Sequence, residues 1–301
     1  MTSAVDRDSE LRTAVFGWLD EQTRLRDELT WAQLQRGFAF DGKPLALVTQ
    51  RGIRRVAGLD AALAFQTTYT PPGGRAPYAD AEGPDGLIRY KYQGVDPQGP
   101  DNRAMRAALQ RGLPLVWFVG VAPGVFLAQR PVWLVGDEPS DLQFAVALDE
   151  EQYLAARSDA PLDLRQRSVL RLTRLRLHQP VFRAQVLRAY DVKCSICRLK
   201  HENLLDAAHI QPDAEGGQPV VTNGLSLCKI HHAAYDAGIV GIDPAYRIEV
   251  RNDVLREVDG PMLRHGLQDV HGWRLEVPRR IAERPDRDRL AQRYARFRQA
   301  S

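Results

Sequence analysis

The spacing of apolar residues predicts helices at the start of the chain and strands after it. Within residues 8–36, four apolar residues recur close to the 3.6-residue period of an amphipathic helix. These are Leu11, Val15, Trp18 and Leu19. Between residues 38 and 148, short apolar runs alternate with turns that contain Gly and Pro, and residues 101–111 predict one short helix among them. We therefore expect a curved sheet or open barrel with a few helices over residues 1–150.

The second half of the chain has a different pattern. Residues 150–190 predict basic helices, which Pro161 and Pro180 are expected to break into pieces. Residues 256–281 predict loop and short strand, and residues 284–299 predict a terminal helix. We expect these elements to flank a separate segment, whose cysteines and histidines indicate a metal site.

Composition places the chain among globular proteins. It has 301 residues, of which 44% are hydrophobic and 26% are charged. No apolar run approaches the roughly 18–20 residues that a membrane crossing needs. The first ten residues are acidic and polar, unlike a signal or transit peptide. We therefore expect a cytoplasmic protein with no membrane partner.

Charge is concentrated in one segment, although the net charge is only +3. Residues 165–200 hold ten basic residues and a single acid, Asp191, which amounts to about +9. Such a concentration is typical of contact with a phosphate backbone, and a solvated helix face is the alternative.

All three cysteines lie within 35 positions, and four of the seven histidines lie between them or within four positions after the last one. The pairs Cys194-x-x-Cys197 and Cys228-x-x-His231 are separated by 30 residues. Each pair places two soft ligands on one tight turn, and two such turns complete a closed tetrahedral site for a structural Zn²⁺. Buried apolar cysteines are the alternative, but they would not explain why every cysteine has ligand spacing.

The residues around these pairs resemble the HNH endonuclease signature. The order is Ala-His-Ile-x-Pro at residues 208–212, then Gly-Gly, then Asn-Gly-Leu-x-Leu-Cys at residues 223–228, and finally His-His-x-x-x-Asp-x-Gly at residues 231–238. The resemblance covers about 60–70 residues. It implies a zinc-stapled ββα-metal domain that hydrolyses phosphodiester bonds with one catalytic Mg²⁺ or Mn²⁺.

The resemblance also implies roles for individual residues. His209 takes the position of the general base, Asn223 orients the loop and the base, and His232 is a ligand of the catalytic ion. Many family members have Asp or His directly before the base, whereas this chain has Ala208. We expect Asp206 or Asp236 to complete the catalytic site in its place, and a plain surface acid is the alternative for Asp206.

A second resemblance lies in the N-terminal half, at residues 77–94. Here the tyrosines, acids and glycines resemble the core of SRA (YDG) domains, which have a PUA-like fold and flip a modified cytosine out of the duplex. The resemblance implies stacking by Tyr78 and Tyr92 and an acceptor for the cytosine amino group at Asp80. It implies contacts to the DNA backbone from Arg89 and Lys91. The alternative is that these tyrosines, with Tyr90, are ordinary strand aromatics.

Together these features predict an α+β protein with two domains. Residues 1–150 are expected to recognise a modified base, residues 151–180 to link, and residues 181–301 to form the nuclease domain with a C-terminal extension. The predicted function is cleavage of double-stranded DNA that carries 5-methyl- or 5-hydroxymethylcytosine, by a homodimer. An HNH nuclease with another DNA target and a non-catalytic zinc-dependent DNA-binding protein are the alternatives.

Overall fold

The computed structural model describes residues 4–71, 81–158 and 169–299. The chain divides into two compact units, Met1–Val181 and Phe182–Ser301. No helix within the described ranges combines the length and the apolar character that a membrane crossing requires.

In its described residues up to Ala156, the N-terminal unit combines four helices with ten strands. The helices are α1 (Ala4–Gln22), α2 (Trp31–Arg36), α3 (Pro100–Gln110) and α4 (Glu150–Ala156). The strands are β1 (Glu28–Thr30), β2 (Phe38–Phe40), β3 (Lys43–Leu45), β4 (Ile53–Arg55), β5 (Ala62–Thr67), β6 (Ala81–Glu82), β7 (Ile88–Lys91), β8 (Leu115–Ala122), β9 (Val125–Glu138) and β10 (Gln143–Ala147). The predicted mixture of helices and strands is therefore confirmed.

Eight of these strands form one curled half-barrel sheet, in the order β4-β5-β8-β9-β10-β7-β6, with β1 added beside β9. Strands β5 and β8 are parallel and α3 lies in the crossover between them, while the other neighbours are antiparallel. Alternate residues of β8 face opposite cores. Val116 and Phe118 pack toward α1, whereas Leu115 and Trp117 pack on the side of α3.

The boundaries of the first helix differ from the prediction. The apolar residues of α1 are buried as expected, but the helix ends at Gln22 and does not continue to residue 36. A second helix starts at Trp31, because Thr30 accepts a hydrogen bond from the Gln33 amide and the Gln33 side chain accepts one from the Thr30 amide. This capping box stabilises a new helix start and could have been found in the sequence.

The C-terminal unit is built on a short hairpin covered by helices. Its helices are α5 (Gln179–Ala189), which begins in the N-terminal unit, α6 (Lys229–Asp236), α7 (Asn252–Arg256), α8 (Pro261–Gly266) and α9 (Arg287–Gln299). Its strands are β11 (Leu205–His209), β12 (Gly224–Cys228), β13 (Val240–Ile242) and β14 (Ile248–Val250). The β11–β12 pair followed by α6 gives the ββα arrangement that the sequence predicts.

Pro180 does not break the helical segment, contrary to the prediction. The residues before it, Arg174–His178, form one turn of π-helix and lead directly into α5. Proline has no amide hydrogen to donate to the preceding turn, and a widened turn accommodates this loss without ending the helix. Pro161 lies outside the described residues.

Candidate functional site

The four predicted zinc ligands lie together. Cys194, Cys197, Cys228 and His231 bring their ligand atoms within 4.8 Å of one another. The Sγ atoms of Cys197 and Cys228 are 3.9 Å apart, and the His231 Nδ1 atom is 3.1 Å from Cys228 Sγ. Sulfur ligands at about 2.3 Å around a tetrahedral zinc are separated by about 3.8 Å. The spacing and the donor set therefore fit Zn²⁺.

The second ring nitrogen of His231 fixes its tautomer. The Nε2 atom lies 2.8 Å from the carbonyl oxygen of Gly266, at the end of α8. A carbonyl oxygen only accepts, so Nε2 must carry the hydrogen and Nδ1 keeps its lone pair toward the three sulfurs. Gly266 is a supporting residue that sequence reasoning missed, because a backbone carbonyl leaves no residue-type signal.

The cysteine and histidine side chains of the cluster shift one another's pKa because they lie close together. Hydrogen bonds from the Cys197 and Cys228 thiols lower the pKa of Cys194, which favours its thiolate. Burial disfavours the charged form of His231, but hydrogen bonds to Cys194 and Cys228 outweigh burial and raise its pKa to about 10. Zinc binds cysteine as the thiolate and histidine as the neutral imidazole, so a site of this kind exchanges protons for metal.

His209 ends strand β11 and stacks on a helix of the same unit. Its ring lies 4.1 Å from the ring of Phe182 in α5, with an angle of 20° between the planes. Burial lowers the pKa of His209, opposed by Asp213 and Asp236 and assisted by His232. A lowered pKa keeps the imidazole neutral at physiological pH, which is the form that can accept a proton.

The three predicted ligands of the catalytic ion, His232, Asp236 and Asp206, lie on α6 and β11. The Nε2 atom of His232 is 3.3 Å from an oxygen of Asp236, one helical turn further on. The Nδ1 atom is 3.7 Å from an oxygen of Asp206. Asp206 and Asp236 therefore face different nitrogens of His232. Within the described residues, only the cysteine–histidine cluster brings three or more His, Cys, Asp or Glu ligand atoms within 4.8 Å of one another, so His232, Asp206 and Asp236 do not form such a group.

Asn223 is buried and joins the two strands' ends through its side chain. Its Oδ1 accepts from the Gln211 amide at 2.9 Å, and its Nδ2 donates to the carbonyls of Gln211 and Gln218, both at 3.0 Å. The backbone oxygen of Asn223 accepts from the Ile210 amide. The side chain thus holds the loop that directly follows His209.

Glycines in the signature are explained by close packing. A Cβ atom on Gly217 would clash with the backbone of Gln211, and one on Gly224 would clash with Val186 and Phe182. Ala208 is fully buried in the hydrophobic core of the unit, so its position has no access to a catalytic ion.

The predicted base-binding residues of the N-terminal unit are only partly described, since Tyr78 and Asp80 lie outside the described residues. Arg89 differs from the expectation of a contact to the DNA backbone. It is buried and hydrogen-bonded to Asp85 and Glu138 within the sheet, which explains it as a structural residue.

Tyr92 also belongs to the core of the sheet. Its ring is 4.6 Å from that of Phe144, and its hydroxyl is hydrogen-bonded to Asp137 and Arg106. Because protein atoms surround the ring, a stacking role for Tyr92 would require a change of its position.

A pocket of about 160 Å³ lies in the N-terminal unit beside three of the predicted residues, Tyr90, Lys91 and Tyr92. It is lined by residues 50–52, 66–68 and 90–93, which are mostly amide, hydroxyl and cationic groups. Tyr90 donates a hydrogen bond from its hydroxyl to the Gln66 carbonyl, and Lys91 donates to the Gln143 side chain. The residue types at 50–52 and 66–68 did not predict a pocket.

One segment of the C-terminal unit matches a known protein family. Residues 194–243 match the HNH endonuclease family. This HNH segment contains the whole zinc cluster together with His209, Asn223 and His232. No curated protein matches the chain.

Solved structures of restriction endonucleases also share similarity with this chain. One is a "Modification dependent TagI restriction endonuclease", 20% identical, with a TM-score of 0.32, covering 82% of this chain and 85% of the other. The second is the "Type IV phosphorothioation-dependent restriction endonuclease ScoMcrA", 17% identical, with a TM-score of 0.21, covering 61% of this chain and 49% of the other.

Proposed function

We propose that the protein is a modification-dependent DNA endonuclease whose HNH segment hydrolyses phosphodiester bonds. The observation that carries this proposal is the position of His209. It ends β11 as a half-buried imidazole with a lowered pKa, in the segment that matches HNH endonucleases. The proposed organisation is recognition by residues 1–150, a linker at 151–180 and cleavage by residues 181–301.

In the proposed reaction, neutral His209 takes a proton from the attacking water molecule. Asn223 keeps the loop after His209 in place through its three side-chain hydrogen bonds. His232, with one of the nearby carboxylates, holds Mg²⁺ or Mn²⁺. When bound, this ion stabilises negative charge on the scissile phosphate. The zinc cluster is closed by four protein ligands, so its proposed role is structural.

We further propose that the N-terminal unit reads 5-methyl- or 5-hydroxymethylcytosine after the base is flipped. The pocket at residues 50–52, 66–68 and 90–93 supports this reading, because its side chains offer both hydrogen-bond donors and acceptors and two cations. A flipped base presents mixed donors and acceptors on its edge, and its phosphates are anionic. Tyr78 and Asp80 stay predicted partners of the base. A homodimer in the cytoplasm, with two active sites for two strands, completes the proposal.

The experiment is cleavage of matched DNA molecules that differ only in cytosine modification. Unmodified, fully methylated and fully hydroxymethylated DNA are incubated with the zinc-loaded protein in Mg²⁺ and in Mn²⁺, beside His209→Ala. Cutting of modified DNA alone, lost in His209→Ala, is the expected result. Equal cutting of all three would retain the nuclease and exclude the reader of modified cytosine.

A second candidate function is zinc-dependent DNA binding without catalysis. Ala208 favours it, since this core residue stands where many HNH enzymes have a metal ligand. Binding of DNA by a folded, zinc-loaded protein that never cuts any of the three substrates would support this candidate and contradict the nuclease.

A further inference from the structure

An arginine outside the HNH match contacts the candidate catalytic site. Arg293 lies on α9, and its Nη2 atom donates to an oxygen of Asp236 at 3.0 Å and to the carbonyl of Tyr235 at 3.2 Å. Its guanidinium also stacks over the Tyr235 ring, 4.5 Å from the ring centre. Three contacts therefore fix the arginine, although the HNH match ends at residue 243.

Helix α9 is itself anchored to the unit, so the position of Arg293 is determined by the fold. Leu290 is fully buried in the core, and Phe297 packs closely on Gly241 of β13. Arg296 makes two hydrogen bonds to Glu215, at 2.6 and 2.7 Å, in the loop between β11 and β12. A helix held at both ends can orient the side chain between them.

The two oxygens of Asp236 have different neighbours. Oδ1 accepts from Arg293, whereas Oδ2 lies 3.3 Å from Nε2 of His232. The carboxylate of Asp236 is 57% exposed, so solvent weakens the ion pair and its contribution to stability is small. Its geometry is the more informative property, because it places a fixed acceptor beside Nε2.

Asp206 has looser contacts with cations. Lys229 Nζ and Arg183 Nε lie 3.6 and 3.9 Å from its oxygens, beyond hydrogen-bond distance. The Arg183 guanidinium donates instead to the carbonyls of Glu202 and Leu205. Asp206 therefore keeps more capacity to bind a cation than Asp236, whose Oδ1 is already hydrogen-bonded.

We propose that Arg293 and Asp236 are positioning residues that orient His232, and that Asp206 is the carboxylate that binds the divalent ion with His232. This inference rests on the proposed nuclease function for its ion. A histidine that binds a metal through one nitrogen commonly donates the hydrogen of the other to a carboxylate or carbonyl. Asp236 at Nε2 leaves Nδ1 for the ion, on the side of Asp206. Gly266 does the same for the neighbouring His231.

Binding of Mn²⁺ to the zinc-loaded full chain, measured by titration calorimetry, separates the two carboxylates. Asp206→Asn should weaken binding more than tenfold, whereas Asp236→Asn should weaken it only about threefold, since its single amide oxygen can still accept from Nε2 while its NH2 group faces Arg293. Asp236→Ala and Arg293→Ala should each weaken binding about tenfold, at the lower end for residues that support a ligand. Arg298→Ala, on the same helix but paired with Glu249, is the matched control and should change nothing.

Equal loss in Asp206→Asn and Asp236→Asn would overturn the assignment and make Asp236 a ligand. Absence of Mn²⁺ binding in the unchanged protein would remove Asp206 as a ligand and contradict the nuclease proposal. Zinc content and the melting temperature identify any variant that has lost its fold.

The tautomer of His232 tests the positioning pair without a divalent ion or DNA. Proton–nitrogen correlation spectra of the zinc-loaded, magnesium-free protein distinguish the two ring nitrogens, with His232→Gln identifying the signals. The neutral ring should carry its hydrogen on Nε2 in the unchanged protein and in Arg298→Ala, and shift toward Nδ1 in Asp236→Ala and Arg293→Ala. A hydrogen on Nδ1 in the unchanged protein would overturn the pair, whether or not the protein cuts DNA.

Discussion

Two adjacent regions of the C-terminal unit use neighbouring histidines in different surroundings. His231 is buried with three cysteine sulfurs on one side and a carbonyl on the other. His232 is partly exposed between two carboxylates, close enough to His209 to affect its pKa. One residue along α6 thus separates a closed site with sulfur atoms around its histidine from an open one with carboxylate oxygens beside its histidine. The difference indicates stability from the first region and reactivity from the second.

The largest expected effect comes from emptying the closed site. Cys194→Ser or chelation should unfold the C-terminal unit, because zinc coordination of this kind supplies about 10–16 kcal/mol of apparent binding free energy. Circular dichroism and zinc content, measured against temperature, should report the loss. Ser195→Ala is the matched control, since its buried hydroxyl has no hydrogen-bond partner among the described residues. A folded, zinc-free Cys194→Ser would show that the cluster does not stabilise the unit.

A substitution in the open site should lower the cleavage rate and leave the fold unchanged. His209→Ala should lower the rate of DNA cleavage by about 10²–10⁴-fold, the usual contribution of a general base, and leave zinc content and melting temperature unchanged. The rate is measured in single-turnover cleavage of modified DNA. The exposed His201 gives the control variant His201→Ala, which should cut normally. Loss of zinc in His209→Ala would mean that this residue supports the fold.

Asn223 lies between these extremes because it affects both stability and reaction. Asn223→Ala removes the three partly buried hydrogen bonds of a fully buried side chain, which should cost about 2–4 kcal/mol. Urea unfolding of the zinc-loaded protein measures this change. Thr222→Ala, at the preceding residue, should change it much less. An unchanged free energy of unfolding would mean that other groups hold the loop.

The smallest effect concerns pH. Burial lowers the pKa of His209 from its usual 6.5, so the neutral form persists to lower pH than in a free imidazole. The acid limb of the pH profile of kcat/KM should therefore have its midpoint below 6.5, and activity should be lost only as pH falls through the lowered value. A midpoint above 6.5 would contradict His209 as the titrating base.

The sequence predicted the ligands of the closed site more completely than the residues around the open site. Cysteine spacing alone located the zinc cluster, because soft ligands on tight turns leave a local pattern. The roles of Gly266 and Arg293 left no such pattern in the sequence. Gly266 acts through its backbone carbonyl, and Arg293 lies on a helix that reaches the site only through tertiary packing. In the N-terminal unit, the apolar runs between residues 38 and 148 indicated a sheet, but β1 was missed because it lies within the segment that predicted a helix.

Burial explains why the N-terminal motif was harder to interpret. In the sequence, the tyrosines and the arginine at residues 89–92 suggested a surface that contacts DNA. Arg89 and Tyr92 instead make their hydrogen bonds inside the sheet. Residue type alone does not distinguish an aromatic ring that stacks on a base from one that fills a core.

The pairing of distant strands has a consequence for how the chain folds as it is synthesised. Strand β5 pairs with β8 about fifty positions later, and β1 pairs with β9 nearly a hundred positions later. The half-barrel therefore cannot begin to close until most of the N-terminal unit has left the ribosome, and such non-local pairing is intrinsically slow. The zinc ligands span only 38 residues. We expect the C-terminal unit to fold quickly once it emerges, and the sheet of the N-terminal unit to fold slowly.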